Sequence, residues 1–504
     1  MYCSMPNHRS SLAIKRTQSS ILALSVAIAG LGFLSIGAAR AETLTDALAS
    51  TYASNPQLDA ERARLRATDE GVAQAEGQFR PTITGNAQTE YQFSQSKPSS
   101  TRDGTNHPKS YGVTFTQPLF RGFRSINGVN VAEAQVRAGR ETLRTTEQTV
   151  LLAAVTAFMD VVRDQAILKL RENNQKVLAD TLRSTQDQFK VGEVTRTDVA
   201  QADASLAAAV SAIELARANL KGSRATYERY VGHAPSSLVE PKPLRSLLPP
   251  GLEAAIGIGT QEFPAVVSAL YTEQAARFNV DLIRGELLPT VSLQGTFTDT
   301  YPDSINGGGT LGAFTGGNAS ETRTTTVTGQ LSVPIYEQGI VYSRVRAAKH
   351  TQLAALQEIQ RARTEAHAAV VAAWSQHVAA RAQLASDQSA VESNRIALAG
   401  VREEEKVGQR TKLDVLNAEQ AYLNAQVSLV TTRRNVIVND YTVMQAIGRL
   451  NVQELSASGQ VYDIEEHYFE VRRKWWGLDI THADGRRETL DTWRTVGEHH
   501  ESMK

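Results

Sequence analysis

Four segments of the chain alternate between apolar and polar side chains. In 82–94, Ile83, Ala87, Tyr91 and Phe93 share one parity, and Thr82, Asn86, Gln88 and Glu90 the other. Tyr111, Val113, Phe115 and Leu119 interleave with Ser110, Thr114 and Thr116. Val291, Leu293 and Phe297 interleave with Ser292, Gln294 and Thr296, and Val327, Leu331 and Val333 with Thr326, Thr328, Gln330 and Ser332. A period of two sends successive side chains to opposite faces of a strand, one suited to an apolar medium and one to water. The pattern predicts strands over 82–94, 110–119, 290–301 and 323–334. Elsewhere the period is lost. No proline falls within 119–234 or after Pro334, and 126–188 is dominated by Ala, Leu, Val, Glu, Gln, Arg and Thr. That composition favours helix and predicts long helices over 125–188, 197–231, 340–404 and 412–447. Some 60 helical residues at ~1.5 Å each span roughly 90 Å, far more than a globular domain tolerates. Val136, Leu143, Val150 and Ala157 keep a seven-residue spacing, which Asp164 and Arg171 then break. Apolar and small residues lie on several helix faces, so these helices need neighbours on both sides.

The chain is written twice. "KVGEVTRTDV" at 190–199 returns as "KVGQRTKLDV" at 406–415. Pro118 and Pro334, Phe158 and Trp374, Leu182 and Leu398, and Gly232 and Gly448 all stand 216 residues apart. Upstream the offset is 208, joining Pro56 to Pro264 and "RPTIT" (80–84) to "LPTVS" (288–292). The second half is therefore eight residues longer between its strands, in the Gly/Ser/Asn-rich stretch 303–320. The organisation follows: a first repeat over 42–232, an inter-repeat segment 233–260, a second repeat 261–448 and a C-terminal segment 449–504. Each repeat runs helix, strand, strand, long helix, long helix.

The leader changes where those strands can act. Arg9, Lys15 and Arg16 precede an apolar run (21–39) that ends in Ala39-Arg40-Ala41, the layout of a signal peptide (1–41) cleaved after Ala41. The one cysteine, Cys3, is lost with it, removing disulfides, thiolate metal sites and an acylated N-terminal cysteine. Taking the leader's Arg9, Lys15, Arg16 and Arg40 from 53 Lys+Arg leaves 49 against 53 Asp+Glu. A net charge near −4 is wrong for a nucleic-acid partner. After Ala41 no uninterrupted apolar stretch approaches the ~20 residues of a membrane helix, so any membrane passage falls to the strands. Four strands cannot close a barrel, and open edges in lipid leave backbone groups unpaired at several kcal/mol each. A dimer would supply eight strands, a barrel filled by its own side chains, and a trimer twelve; the trimer is the reading that leaves a lumen. The competing reading is a soluble periplasmic coiled-coil scaffold whose strands pack between protomers. Membrane fractionation separates the two.

With this leader, this duplicated order and the paired "VG…TDV" and "VG…LDV" turns, the chain resembles the TolC family of outer-membrane efflux proteins from about Glu42 to Asn451. The resemblance implies an α+β membrane protein: three protomers sharing a 12-stranded outer-membrane β-barrel, continued by a periplasmic α-helical barrel. It implies an export duct for drugs, detergents or polypeptides. The implied partners are a periplasmic adaptor (membrane fusion) protein, an inner-membrane RND or ABC transporter and outer-membrane lipid. No cofactor and no metal is implied. The repeated turn falls at the periplasmic tip of each helical hairpin. Gly192 and Gly408 suit the left-handed residue that ends a helix, and Thr195/Asp198 and Thr411/Asp414 have the T-x-x-D spacing of a helix cap. By resemblance, Thr197 and Asp198 match the acceptors of a periplasmic latch and Arg410 its arginine; Asp414 and Asn417 match positions of acidic rings in the lumen. Val191, Gly192, Val407 and Gly408 match adaptor-contact positions. Asn417 and Glu405 depart from the family pattern, which has an aspartate and a tyrosine there.

No catalytic constellation is present: G-x-S-x-G, H-E-x-x-H and CxxC are absent. His367 and His377 stand ten residues apart, not a metal-ligand spacing, and are expected to be solvated or to face a lumen. "EHHES" (498–502) reads as a frayed tail, and 307–309, "GGG", as a loop.

Overall fold

The computed structural model describes residues 42–94, 104–244, 247–301, 304–305, 321–455, 461–481 and 487–488. The expected cleavage site at Ala41, the loop over 306–320 and the end of the tail lie outside them. The first half contains α1 (Leu44–Ser54), α2 (Pro56–Gly77), β1 (Thr82–Thr89), β2 (Gln92–Ser94), β3 (Gly104–Asn106), β4 (Lys109–Arg121), α3 (Arg124–Lys190) and α4 (Arg196–Val231). The second contains α5 (Leu252–Glu262), α6 (Pro264–Arg284), β5 (Thr290–Tyr301), β6 (Ser304–Ile305), β7 (Thr322–Ser332), α7 (Ile340–Lys406) and α8 (Lys412–Ala446). Then come α9 (Ile464–Arg473), β8 (Ile480–Thr481) and β9 (Arg487–Glu488). Helix α3 and its equivalent α7 each have 67 residues, about 100 Å at ~1.5 Å per residue.

The main sheet is antiparallel in the order β1-β4-β5-β7, so among the described residues β1 and β7 are its free edges. The strand expected over 82–94 is interrupted at Glu90 and Tyr91, and Gln92–Ser94 pairs instead with β3. The reason lies opposite: Glu90 N–H reaches the Pro108 carbonyl at 3.0 Å, but Pro108 has no N–H to return. Another proline bends the ladder between β4 and β5, where the register shifts between Pro118 and Phe120. Both halves leave the sheet through two consecutive left-handed residues, Gly122 (φ 62°) and Phe123 (φ 62°), then Gln338 (φ 57°) and Gly339 (φ 76°). At the first junction a Cβ on Gly122 would stand 2.2 Å from the Gly285 carbonyl oxygen, so only glycine fits.

Down the helices the seven-residue stripe does not stop where the residue types suggest. Val136, Leu143, Val150 and Ala157 are buried, and so are Asp164, Leu178 and Thr185 at the same spacing. Asp164 is tolerated because Arg163 Nε donates to it at 2.8 Å. The largest core lies midway along α3, where Leu151, Val155 and Phe158 meet Leu48 of α1, Tyr227 of α4, Ala255 of α5 and Met444 of α8. Helix α4 is long and apolar enough by composition to cross a membrane, although charged residues such as Asp203 and Glu214 interrupt it. Its apolarity is mostly alanine, and Ala202, Ala209, Ile213 and Ala216 are buried in a hairpin with α3. His377 is also not solvated: it is buried, with Nδ1 2.7 Å from Asp440 Oδ1.

Candidate functional site

The two hairpin tips are local structures written by local sequence. Helix α3 ends at Lys190, Gly192 takes φ 82°, and Glu193 N–H returns to the Gln188 carbonyl at 3.0 Å. Helix α7 ends at Lys406, Gly408 takes φ 72°, and Gln409 N–H returns to Glu404 at 2.9 Å. A left-handed residue closing the last carbonyls is how helices stop without leaving acceptors bare. The next helices start from reciprocal caps. Thr195 N–H and Oγ1 donate to Asp198 Oδ2 at 2.8 and 2.7 Å, and Asp198 N–H donates to Thr195 Oγ1 at 3.3 Å. Thr411 and Asp414 repeat this at 3.0, 2.8 and 3.3 Å. Hydrogen bonds from the Thr195 hydroxyl and backbone hold the Asp198 carboxyl below the usual carboxylate range, and those from Thr411 do the same for Asp414.

Within the chain Arg410 does not meet Thr197 or Asp198. Its Nε donates to Glu404 Oε2 at 2.9 Å, across the turn of its own hairpin. The basic residue whose charge reaches Asp198 is Lys412, which itself pairs with Glu405 at 2.8 Å. Glu405 is therefore held in a half-buried ion pair. Deeper in the same hairpin Arg402 pairs with the buried Glu419 at 2.9 Å. Leu178, Ala209 and Leu416 join the two hairpins in one small apolar cluster. Val191 and Val407 are 72% and 70% exposed, two apolar side chains held out at the ends of the molecule. Thr197 and Asn417 are exposed as well.

Sequence reasoning missed the polar centre at mid-length. Asp440, fully buried, lies 2.7 Å from His377 and 3.5 Å from Arg381, and its Oδ2 accepts the Leu244 N–H at 3.1 Å. Neither the His377 ring nor the Arg381 guanidinium is aligned as a hydrogen bond to it. Burial pushes the Asp440 carboxyl up, against the pull of His377 and Arg381. The arrangement ties the inter-repeat segment to α7 and α8. Nothing in the spacing of residues 244, 377, 381 and 440 announces it. Among the described residues no cluster of His, Cys, Asp and Glu could hold a metal ion.

A long helical hairpin in each half, both springing from one open-edged sheet with an apolar face, is a channel protomer's architecture. The description "outer membrane efflux protein" fits residues 47–233 and 260–449, one match per repeat. The chain belongs to the outer membrane efflux protein family. It is 37% identical over 449 residues to the outer membrane efflux protein BepC of Brucella suis, covering 89% of this chain and 94% of that protein. It is 24% identical over 451 residues to the outer membrane protein TolC of Escherichia coli, covering 87% and 88%. The fold is shared with the Campylobacter jejuni CmeC outer membrane channel, with TM-score 0.70 and 17% identity over 85% of this chain and 89% of that one. Membership puts the sheet in the outer membrane and the helices in the periplasm, and sets aside the soluble scaffold.

Proposed function

We propose that the chain is one protomer of a homotrimeric duct that carries solutes or polypeptides from an inner-membrane transporter to the exterior, without catalysis of its own. The observation that carries this is the four-stranded sheet with unpaired β1 and β7 edges on helices of 67 residues. Such edges are sustainable in lipid only when each β1 finds the β7 of a neighbour. The driving partner would be an RND or ABC transporter coupled through a periplasmic adaptor. Val191, Gly192, Val407 and Gly408 are the proposed adaptor contacts: exposed apolar residues on a rigidly capped turn suit a docking tip. Thr197, Asp198 and Arg410 are proposed to latch the entrance between hairpins. Arg410 would then exchange Glu404 for an acceptor on a neighbouring hairpin, an exposed pair worth about 0–1 kcal/mol and so reversible. Asp414 and Asn417 are proposed to face the lumen at this level.

A deletion strain tests the duct, assayed against drugs and detergents and for its secreted proteins. Hypersensitivity with an intact secretome assigns small-molecule efflux, and loss of a secreted protein with normal tolerance assigns secretion. A strain unchanged in both, with a chain released from membranes by salt alone, overturns the duct.

A further inference from the structure

The C-terminal segment has no counterpart in the first half, and its described part runs along α2 to the base of the sheet. Helix α9 climbs along α2 in the direction of the sheet. Arg66 Nε donates to the Tyr462 hydroxyl at 3.1 Å, His467 Nδ1 lies 3.1 Å from Asp69 Oδ2, and Arg472 Nε donates to Glu76 Oε1 at 2.8 Å. Tyr468 packs on the apolar cluster of Val72, Ala132 and Val136 between α2 and α3. The climb ends where Arg80, one residue before the strand-initiating Pro81, donates to the Lys474 carbonyl at 3.1 Å and stacks 4.7 Å over the Trp475 ring.

Here the surface opens into a cleft of about 780 Å³. Its apolar wall is Phe79, Ile126, Val129 and Trp475, and its polar wall carries Arg80 beside Arg472, which pairs with Glu76 at 2.8 Å and Glu133 at 3.8 Å. Strand parity says which side of the barrel this is. Pro81 and Gln117 line the cleft and share their parity with Ile83 on β1 and with Phe115 and Leu119 on β4. Those are the exposed apolar residues of the lipid-facing side. The cleft therefore continues the lipid-facing surface at the periplasmic ends of the strands. At its rim Trp475 is 68% exposed and the next residue, Trp476, 89%, directly after Arg472, Arg473 and Lys474. Amphipathic aromatic rings beside basic side chains suit the headgroup level of a bilayer, the ring among glycerol and upper acyl carbons and the cation on phosphate.

We infer that residues 464–480 form an interfacial anchor that seats a glycerophospholipid of the periplasmic leaflet, with Trp475 and Trp476 in the headgroup region and Arg80 as the phosphate contact. The paired charges of the cleft wall suit a headgroup that carries its own ammonium and phosphate, and Arg473 adds positive charge outside it.

The full-length protein, with Trp374→Phe and Trp493→Phe so that Trp475 and Trp476 report alone, is reconstituted in phosphatidylethanolamine/phosphatidylglycerol vesicles. Replacing the lipid with one brominated high on the acyl chain is expected to quench the fluorescence by half or more. Aqueous acrylamide is expected to quench it less than in detergent-free urea-unfolded chain. Adding Arg80→Ala should roughly halve the bromolipid quenching without changing the oligomer. A separate variant with Val327→Trp as the sole tryptophan, on the lipid-facing side of β7, must be quenched for the barrel to count as inserted. With that control quenched, tryptophans open to acrylamide and untouched by bromolipid overturn the inference, and tryptophans protected from both overturn it in favour of a protein cover.

Discussion

At single residues, the hairpin tips are governed by two conformational choices. Gly192 and Gly408 have open space where a Cβ would go, so replacing either with alanine costs only the left-handed conformation, about 1–2 kcal/mol. Loss of the Thr195 or Thr411 hydroxyl to alanine removes a helix cap, about 1 kcal/mol. Hydrogen exchange at the tip amides should accelerate in each variant while the rest of the molecule stays unchanged. The same caps set a pH dependence. Asp198 and Asp414 are depressed below the ordinary aspartate value of about 4, so their stabilisation is complete above it and is lost as pH falls through their lowered values. The tips should be protected from protease at pH 5 to 7 and open only below roughly 4. Asp440 behaves differently because it is buried. Asp440→Ala leaves the Leu244 N–H without its acceptor, which costs about 1–3 kcal/mol. Asp440→Asn keeps an acceptor for Leu244, and its melting temperature should fall between those of the alanine variant and the parent.

Elements show the duplication diverging in detail. Phe158 and Trp374 are repeat equivalents, yet Phe158 is wholly buried in the central core while Trp374 is only partly covered at its margin. Phe158→Ala should cost about 3–5 kcal/mol and Trp374→Ala clearly less, read as the temperature at which the detergent-solubilised oligomer dissociates. Equal losses would mean that the two halves share the core evenly. At the strand-to-helix junction both halves use two left-handed residues, but only Gly122 meets another backbone, that of Gly285. Gly122→Ala should therefore reduce the yield of folded protein far more than Gly339→Ala, whose Cβ would meet nothing. These elements were legible to different degrees. Strand alternation and helix composition are local, and β5 and α7 begin at the residues the pattern indicates. The break at Glu90 was not legible, because it is caused by Pro108 on the facing strand. Nor was the continuation of the buried stripe through Asp164 and Thr185, because a polar residue reads as exposed until its partner is known.

For the whole molecule, the proposed latch sets the question of how the entrance would open. Arg410 rests on Glu404 in the isolated chain, so the proposed latch would compete with a local pair. Arg410→Ser should raise single-channel conductance in planar bilayers if the arginine closes the entrance. Glu404→Gln should leave the closed state intact or tighten it, since it frees Arg410 for the latch. Equal effects of the two substitutions would make the pair a brace of its own hairpin instead. By itself the sequence determined the duplication, the two-faced strands, the long helices and the capped turns. Apart from the duplication, each of these is set by neighbours within a few positions: the two caps join residues three apart, and the strand faces follow from a period of two. Only the tertiary structure decided the partners of charge and the course of the tail. Asp440 meets Leu244 across 196 positions and His467 meets Asp69 across 398, contacts that exist only because packed helices bring distant residues to one place and exclude the water that would otherwise solvate them.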